Sequence, residues 1–560
     1  MQIERALRPI RILFIGFQDQ DNLGLRYLMA AANAAGHETE IATFSTDPGV
    51  LVARVRAFNP DLIGLSLIFQ FMTRSFAEVV AEIRAAGIRA HVTLGGHYPS
   101  FDPKAVLRAI PGADSIVRFE GEATLLDLAD RLGQGLEWRD VPGLAARLLD
   151  GEVKCISMRH QIEPLDALPW PVRDDIPYEE ADRPTASILA SRGCPWDCSF
   201  CSIRPFYEAQ GGSLRRMRKP ADVVAEMRHL YHDRGVTMFL FQDDDFLATG
   251  SRARNWAGEI ADLIAASDIG GRVAWKMSCR SDEVRPDILA RLKAGGLTHV
   301  YMGVESGDEV GLGNMNKMLK PDRHLGAGRM LRAEGLSFDF GFMLMDPWSD
   351  LRQVRANVDF LDAFVGDGWS VLGFCRMLPY AGTPVWDRLT KEGRLLGTEA
   401  EPDYAFLDPK LDRFYAWHLE TFHTRNFTTR GLSHILRTII FESRLHVGEM
   451  AWMTPVEVAT VQYIAAQANR TATGILRAAI DYVEKTPLNE TAVSFGYLAE
   501  LTQREKAEEA RLTAQLAAFW GDPARQARRR GRSRKLPDAG FAGGWTHRGG
   551  SWETRGEGVR

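Results

Sequence analysis

Three cysteines are the residues of this chain best arranged to do chemistry. Cys194, Cys198 and Cys201 lie in the run Ser191-Arg192-Gly193-Cys194-Pro195-Trp196-Asp197-Cys198-Ser199-Phe200-Cys201. Thiolate is the soft ligand that iron–sulfur centres take, and CxxxCxxC spacing lets three thiolates hold three irons of a cubane 4Fe-4S cluster while the fourth iron stays open. The competing arrangement is a structural zinc site, normally built from two cysteine pairs or from cysteine with histidine at C-x2-4-C spacings. No fourth ligand follows Cys201, and Cys155, Cys279 and Cys375 each stand alone in the sequence.

The loop that carries the three thiols must be held by the apolar stretch before it, Ala186 to Ala190. That stretch opens an alternation of strand-like and helix-like segments. Ser187 to Ala190, Met238 to Gln242, Val273 to Ser278, His299 to Val304, Phe338 to Met345 and Ser370 to Met377 read as strands. Between them Pro220 to Arg234, Ser251 to Ala266, Pro286 to Ala294, Pro321 to Ala333 and Leu351 to Phe364 read as helices. Six such units predict a partial parallel (βα)6 barrel over residues 185–385, with chemistry on the loops at the strand carboxyl ends. The cysteine loop follows the first strand, as that geometry requires. Cys279 and Cys375 fall within strand patterns, where an isolated cysteine usually acts as a small core hydrophobe.

Residues 1–135 alternate in the same way. Arg11 to Phe17, Glu38 to Phe44, Leu62 to Leu67, His91 to Gly95 and Ser115 to Phe119 read as strands separated by amphipathic helices. The pattern predicts a doubly wound, Rossmann-like parallel sheet with a ligand crevice at its strand carboxyl ends. Residues 136–184 lack sustained periodicity, are rich in proline and read as a linker with some short strand structure. From 386 to 520 the pattern is mostly helical, with Phe406, Phe414, Tyr415, Trp417, Phe422 and Phe427 crowded over the barrel mouth. Residues 521–560 carry a basic run from Arg525 to Lys535 and then a glycine-rich stretch. They read as a solvated, disordered tail, with a nucleic-acid or partner-binding arm as the alternative.

The cysteine loop and barrel resemble the radical S-adenosylmethionine (SAM) enzymes, and Phe200, just before the last cysteine, adds to the match. The resemblance implies that the open iron is chelated by the amino and carboxylate groups of SAM, which an electron from the cluster splits into methionine and a 5'-deoxyadenosyl radical. It places SAM contacts at Gln242 and Asp244 after the second strand, where acceptors face an ammonium and ribose hydroxyls, the competing account being a solvated acidic loop. It also places them at Ser278 and Arg280 after the third, where a guanidinium could clamp a carboxylate or simply form a surface salt bridge. Gly303-Val304-Glu305-Ser306-Gly307 ends the fourth strand. There the family contacts ribose and adenine through Glu305 or Ser306, and the glycines permit close backbone approach.

The amino-terminal region resembles the cobalamin-binding domain found upstream of the barrel in one large class of these enzymes. Corrinoid domains that supply a histidine to cobalt use D-x-H-x-x-G after the first strand, whereas here Asp19-Gln20-Asp21-Asn22-Leu23-Gly24 puts aspartate in that place. Cobalt should therefore lack a histidine ligand from this position. By the same resemblance Ser66 and Ile68, Gly95, Gly96 and His97, and Glu120 and Gly121 complete the cobalamin contacts, with Asp19, Asp21, Leu23 and Gly24. An ordinary flavodoxin-like domain with another ligand is the alternative.

Taken with the barrel, residues 10 to about 385 resemble a cobalamin-dependent radical SAM enzyme of the methyltransferase type. The implied reaction is hydrogen abstraction from an unactivated substrate carbon followed by methyl transfer from methylcobalamin. A second SAM restores the methyl group, and a flavodoxin or ferredoxin supplies electrons. No general base is implied, and Phe206 and Tyr207 after the cluster are candidates to face the corrin or close the substrate cavity. A cyclase or ring-rearranging enzyme without methyl transfer is the alternative, and a non-catalytic cobalamin-binding sensor a more distant one. A methylthiotransferase would carry three further cluster cysteines in its amino-terminal domain, and none precedes Cys155.

Composition agrees with these expectations. A chain of 560 residues with 45% apolar and 25% charged residues implies several globular domains. No apolar run reaches about 18 residues, and Met1-Gln2-Ile3-Glu4-Arg5 lacks a signal-peptide core, so a cytoplasmic enzyme without a membrane span is expected. Six cysteines, three of them clustered, fit a reducing compartment rather than a disulfide framework. A net charge of -5 gives no global field toward nucleic acid or membrane. The expected substrate is a small molecule such as a natural-product intermediate, with a peptide or lipid as the alternative.

Overall fold

In the computed structural model, which describes residues 8–18, 21–148, 150–173, 178–180, 183–248, 250–488 and 495–533, the amino-terminal strands are β1 (Arg11–Gly16), β2 (Glu38–Thr43), β3 (Leu62–Ser66), β4 (His91–Gly95) and β5 (Ser115–Val117). They pair in parallel in the order β2-β1-β3-β4-β5. Alternate residues of β1 enter opposite layers, Leu13 and Ile15 one apolar cluster and Ile12 and Phe14 the other, so helices cover both faces. The order reverses between β1 and β3, which puts a crevice at the carboxyl ends of those strands.

The sheet does not stop there. β6 (Leu144–Arg147) and β7 (Val153–Cys155) extend it antiparallel from β5, inside the segment that reads as a linker. Their sequence shows little periodicity because their pairing is supplied by the open edge of β5.

A second sheet has the order β16-β15-β14-β13-β12-β9-β8. Its strands are β8 (Tyr178–Glu180), β9 (Arg183–Ile188), β12 (Met238–Phe241), β13 (Ala274–Arg280), β14 (Leu297–Glu305), β15 (Ser337–Met345) and β16 (Cys375–Arg376). The six strands from β9 to β16 are parallel, the expected partial barrel, and β8 adds an antiparallel edge. A separate two-stranded ladder, β10 (Ser191–Arg192) with β11 (Arg216–Met217), lies at the cluster loop.

The sixth barrel strand is shorter than its apolar run predicts. The amide of Leu372 donates to Asn469 (2.9 Å), its carbonyl accepts from the Ser433 hydroxyl (3.2 Å), and the Phe374 carbonyl accepts from Asn426 (3.1 Å). Side chains of the carboxyl-terminal helices thus take the backbone groups that would otherwise pair with β15.

Those helices are Pro409–Phe427, Leu432–Ser443, Pro455–Lys485 and Phe495–Trp520. A buried Arg425–Glu505 pair (2.5 Å) ties the first to the last, and Arg425 also donates to the Ala468 carbonyl (3.1 Å) on the third. The start of the basic run is helical too, over Pro523–Ser533. Arg529 packs there against Glu442 (2.9 Å), so this part of the expected free tail is docked by charge pairing. The remainder, from residue 534, lies outside the described residues. No helix among the described residues is long and apolar enough to cross a membrane.

Candidate active site

The cluster loop is pinned at both ends. Ser191 and Arg192 pair antiparallel with Met217 and Arg216, closing the chain on itself around the three thiols. Gly193 sits at φ +91°, and a Cβ there would stand 2.1 Å from the Leu214 carbonyl oxygen, so the turn into Cys194 admits only glycine. Two consecutive carboxylates from the loop after β12 hold the same turn. Asp243 accepts from the Ser191 hydroxyl (2.5 Å) and the Ala190 amide (3.2 Å), and Asp244 accepts from the Gly193 amide (2.9 Å).

Between the first two cysteines, the Trp196 indole donates to Asp245 and Glu283, each at 3.1 Å. Burial and the adjacent Asp245 push the Glu283 carboxyl well above its ordinary range. The Arg280 guanidinium lies 3.8 Å over the Trp196 ring and 3.9 Å from the Cys198 sulfur.

All three thiols are partly buried. Burial pushes their ionisation up, Cys201 to about 12, while Lys317 and Arg280 pull Cys198 the other way. Cluster binding requires thiolates, and these two cations are placed to favour them. Among the described residues no three His, Cys, Asp or Glu side chains converge as the ligands of a single ion would. In a cubane each thiolate holds a different iron, so three thiols spread along one loop suit it.

The residues expected to contact SAM surround this loop but divide into two groups. Asp244 and Gln242 face open space at the end of β12. Glu305 ends β14 in a left-handed conformation (φ +70°) at a register shift against β15, which turns its carboxylate toward Lys317 (3.3 Å). A Cβ on Gly303 would come within 2.7 Å of the Lys317 ammonium and 2.9 Å of the Glu305 carboxylate, the far ends of two flexible side chains.

Ser278, Arg280 and Ser306 belong to the second group. Ser278 accepts the Phe246 amide through its carbonyl (2.9 Å). Arg280 is buried, not a surface salt bridge, and its donors already meet Asp282 (3.1 Å) and the Lys317 carbonyl (2.8 Å). Its place is behind the cluster loop rather than as a free carboxylate clamp. Ser306 is fully buried and donates to Asn357 (2.9 Å), leaving Glu305 as the polar group that faces the cleft.

The cobalamin positions divide likewise. Ser66, Ile68, Gly95, Gly96 and His97 gather at the carboxyl ends of β3 and β4. Gly96 has φ +112°, and a Cβ would press on the Leu67 carbonyl at 2.6 Å. Ile68, Phe69 and Phe71 expose large apolar surface on the neighbouring loop, which suits the rim of a macrocycle. His97 stacks on Phe206 with centroids 4.4 Å apart and meets the Ser202 hydroxyl at 3.4 Å, beside Cys201. Burial lowers its pKa to about 4, keeping it neutral. Leu23 and Gly24 open the helix Leu23–Ala34, and Gly24 meets nothing closer than ordinary contact. Gly121 caps the helix Glu122–Gln134 and lies against Val117. Asp19 lies outside the described residues.

Asp21 and Glu120, both expected at the corrinoid, have their carboxylates turned into the junction with the barrel. Asp21 accepts from Arg173 (2.6 Å) and the Ser187 amide of β9 (3.0 Å). Glu120 accepts from Arg192 (3.0 Å), from Arg216 (2.6 Å) and from the Ile162 amide (3.0 Å). Burial alone would raise the Glu120 carboxyl, but the two arginines outweigh it and hold it below its ordinary range. Phe206 is part of the same junction, packed on Phe119 (5.0 Å) and Phe101 (6.3 Å), and Arg216 lies over Tyr207 (5.4 Å).

A separate cavity of about 340 Å³ opens between the cluster loop and the helix Pro409–Phe427. Phe200 forms one wall, with Met343, Cys375 and Tyr380 from the barrel and Tyr415 and His418 from the helix. Phe206 and Tyr207 do not line it. His418 and Leu419 on the cavity wall escape sequence reading because no motif marks them; only the crowding of aromatics after Phe406 hinted at that wall, whereas Phe200 belongs to the cluster motif.

Residues 17–129 match the model of the B12 binding domain and residues 188–355 that of the radical SAM superfamily. The chain is 27% identical over 426 residues to an uncharacterized methyltransferase of Pyrococcus horikoshii, spanning 74% of this chain and 86% of that relative. It is 24% identical over 395 residues to the hopanoid C-3 methylase of Methylococcus capsulatus, spanning 69% of this chain and 71% of the relative. An anaerobic magnesium-protoporphyrin IX monomethyl ester cyclase of Cereibacter sphaeroides is 27% identical over 336 residues, 57% of this chain and about half (52%) of the relative. The fold is shared with the cobalamin-dependent radical enzyme OxsB, solved with aqua-cobalamin and SAM (TM-score 0.68, 16% identity, 95% of this chain and 84% of that one). It is also shared with the radical SAM methyltransferase TsrM of Kitasatospora setae (TM-score 0.63, 19% identity, 82% and 99%).

Proposed function

We propose that this chain, a cobalamin-dependent radical SAM enzyme, methylates an unactivated carbon of a small molecule. The observation that carries the reading is the reach of the similarity. It extends over 86% and 71% of two relatives named as methyltransferase and methylase, and over 52% and 66% of two relatives named as cyclase. When bound, the cluster and SAM supply the radical that removes hydrogen, and methylcobalamin supplies the methyl group.

The protein's own residues bind and aim. Cys194, Cys198 and Cys201 hold three irons, and Arg280 and Lys317 offset the thiolate charge. Asp244 and Glu305 offer acceptors to the amino group and hydroxyls of SAM, over the open backbone at Gly303. Gly96, Ile68 and His97 would hold the corrinoid at the carboxyl ends of β3 and β4, where Phe206 and Ser202 meet His97. A flavodoxin or ferredoxin would deliver the electrons.

The test is anaerobic reconstitution followed by incubation of small-molecule extracts with SAM carrying a deuterated methyl group. Methylation yields a product that has gained the labelled methyl. Turnover with SAM cleavage but no label in any product would favour the cyclase-type reaction instead.

A further inference from the structure

The loop after β3 sets exposed apolar side chains on either side of a buried polar one. Phe69 and Phe71 are each 41% exposed, while Gln70 between them is 2% exposed. Phe69 stacks on Phe71 with centroids 5.6 Å apart and meets Phe17, the residue after β1, at 6.3 Å. Phe69 therefore reaches across the carboxyl ends of β1 and β3, where the strand order reverses and a parallel sheet of this kind binds its ligand. Two open rings at that place are apolar surface that a bound macrocycle would cover.

The Gln70 amide is turned the other way, out of the amino-terminal domain. Its nitrogen donates to the Glu399 carbonyl, in the turn of the hairpin formed by Leu395–Gly397 and Pro402–Tyr404, and its oxygen accepts from the Ala381 amide at 3.0 Å. The Tyr98 hydroxyl donates to the same Glu399 carbonyl at 3.2 Å. The backbone carbonyl of Gln70 accepts from the Thr73 hydroxyl (2.6 Å), which closes the loop onto the helix Thr73–Ala85. Ala381 packs into the apolar cluster that holds Leu67 and Met72, the residues flanking the loop. Just before Ala381, the side chains of Met377, Leu378 and Tyr380 line the cavity of about 340 Å³ beside Phe200. One short segment thus fastens the crevice loop at one end and forms cavity wall at the other.

We infer that Phe69 is a corrinoid-binding residue and that Gln70 is the residue that positions it, tying the corrinoid loop to the cavity wall. A short loop without an anchor can place two phenylalanine rings in many ways, and ordering them on binding lowers affinity. Gln70 orders them beforehand, because both ends of its amide are spent on backbone groups of the barrel side. The inference needs only that the chain binds cobalamin, so it is independent of whether the reaction is methylation or cyclisation.

The test is equilibrium dialysis of the reconstituted full chain against hydroxocobalamin, read as a double-mutant cycle. Affinity should fall about 10-fold in Phe69→Ala, which loses a large apolar contact. It should also fall about 10-fold in Gln70→Met, which keeps the length and packing of the side chain but neither hydrogen bond. Because Gln70 acts through Phe69, the double variant should lose about 10-fold as well, rather than the roughly 100-fold of two independent effects. Iron content and SAM affinity should stay at wild-type levels in all three. Gln70→Ala is the second variant at that position and takes the place of Gln70→Met in the cycle if the latter does not load iron. Wild-type cobalamin affinity in either single variant would overturn the inference. Additive losses in the double variant would overturn it too, as would a fall in SAM affinity matching that for cobalamin. No turnover is read, so a failure of labelled methyl transfer leaves this result standing, and the two readings fall separately.

Discussion

The guanidinium of Arg192 donates to the Glu122 carboxylate at 2.7 Å, both side chains being less than a tenth exposed. Arg192 stands two residues before the first cluster cysteine, and Glu122 lies in the first turn of the helix Glu122–Gln134 of the B12-binding domain. The bond therefore couples the position of the cluster loop to the domain expected to present cobalamin. Arg192→Met should leave two buried carboxylates short of a partner and cost about 3–5 kcal/mol. It is read as a lowered thermal midpoint together with weaker retention of cobalamin on gel filtration. The double variant Arg192→Met with Glu122→Gln should recover part of the loss. A single variant that melts and retains corrinoid like the wild type would remove the coupling.

The three loop thiols should be separable from the other cysteines by iron content. Alanine at Cys194, Cys198 or Cys201 should abolish the iron and the brown absorbance of reconstituted protein while leaving the circular dichroism intact, since none of the three belongs to an apolar core. Serine at the exposed Cys155 should change neither. Full iron loading in a loop variant would exclude that thiol as a ligand.

Arg280 should act through the cluster loop rather than through SAM binding. Lysine cannot reproduce a planar group that stacks on Trp196 at 3.8 Å while donating to Asp282 and the Lys317 carbonyl. Arg280→Lys is expected to shift the cluster's reduction potential and shorten its lifetime, with SAM affinity changed less than about threefold, a shift of under 1 kcal/mol. A large loss of SAM affinity with an unaltered potential would return Arg280 to the role of carboxylate clamp.

Acid should destabilise the protein well above the carboxylate range. His299 is buried against Ser337 (2.9 Å), and burial lowers its pKa to about 4. The unfolded chain, with histidine near 6.5, binds the proton first, so stability is present above about 6.5 and falls as pH drops toward 4, by at most about 1.4 kcal/mol per pH unit for this group. Thermal midpoints measured between pH 7 and 4.5 should show this slope, made steeper by His91, His97, His324 and His418, whose pKa values are also lowered by burial. His299→Gln should flatten the slope by its own share, and an unchanged slope would mean that His299 does not titrate with unfolding.

Residues 11–17 and 187–190 announce strands because short, near-continuous apolar runs suit strands buried on both faces, and the cysteine spacing announces a cluster because its ligands are near neighbours along the chain. Both signals are local, and both domains were legible from them. What the tertiary structure decided involves partners far apart in sequence. Asp21 and Glu120 look like ligand contacts at the end of a strand, yet their carboxylates meet Arg173 and Arg216. Ser370 to Phe374 read as a strand until Asn469, Ser433 and Asn426 take its backbone groups. The basic run reads as free chain until Glu442 meets Arg529. A carboxylate or an imidazole has the same composition whether it binds a cofactor or a neighbouring domain, and only the packing of distant segments determines which partner reaches it.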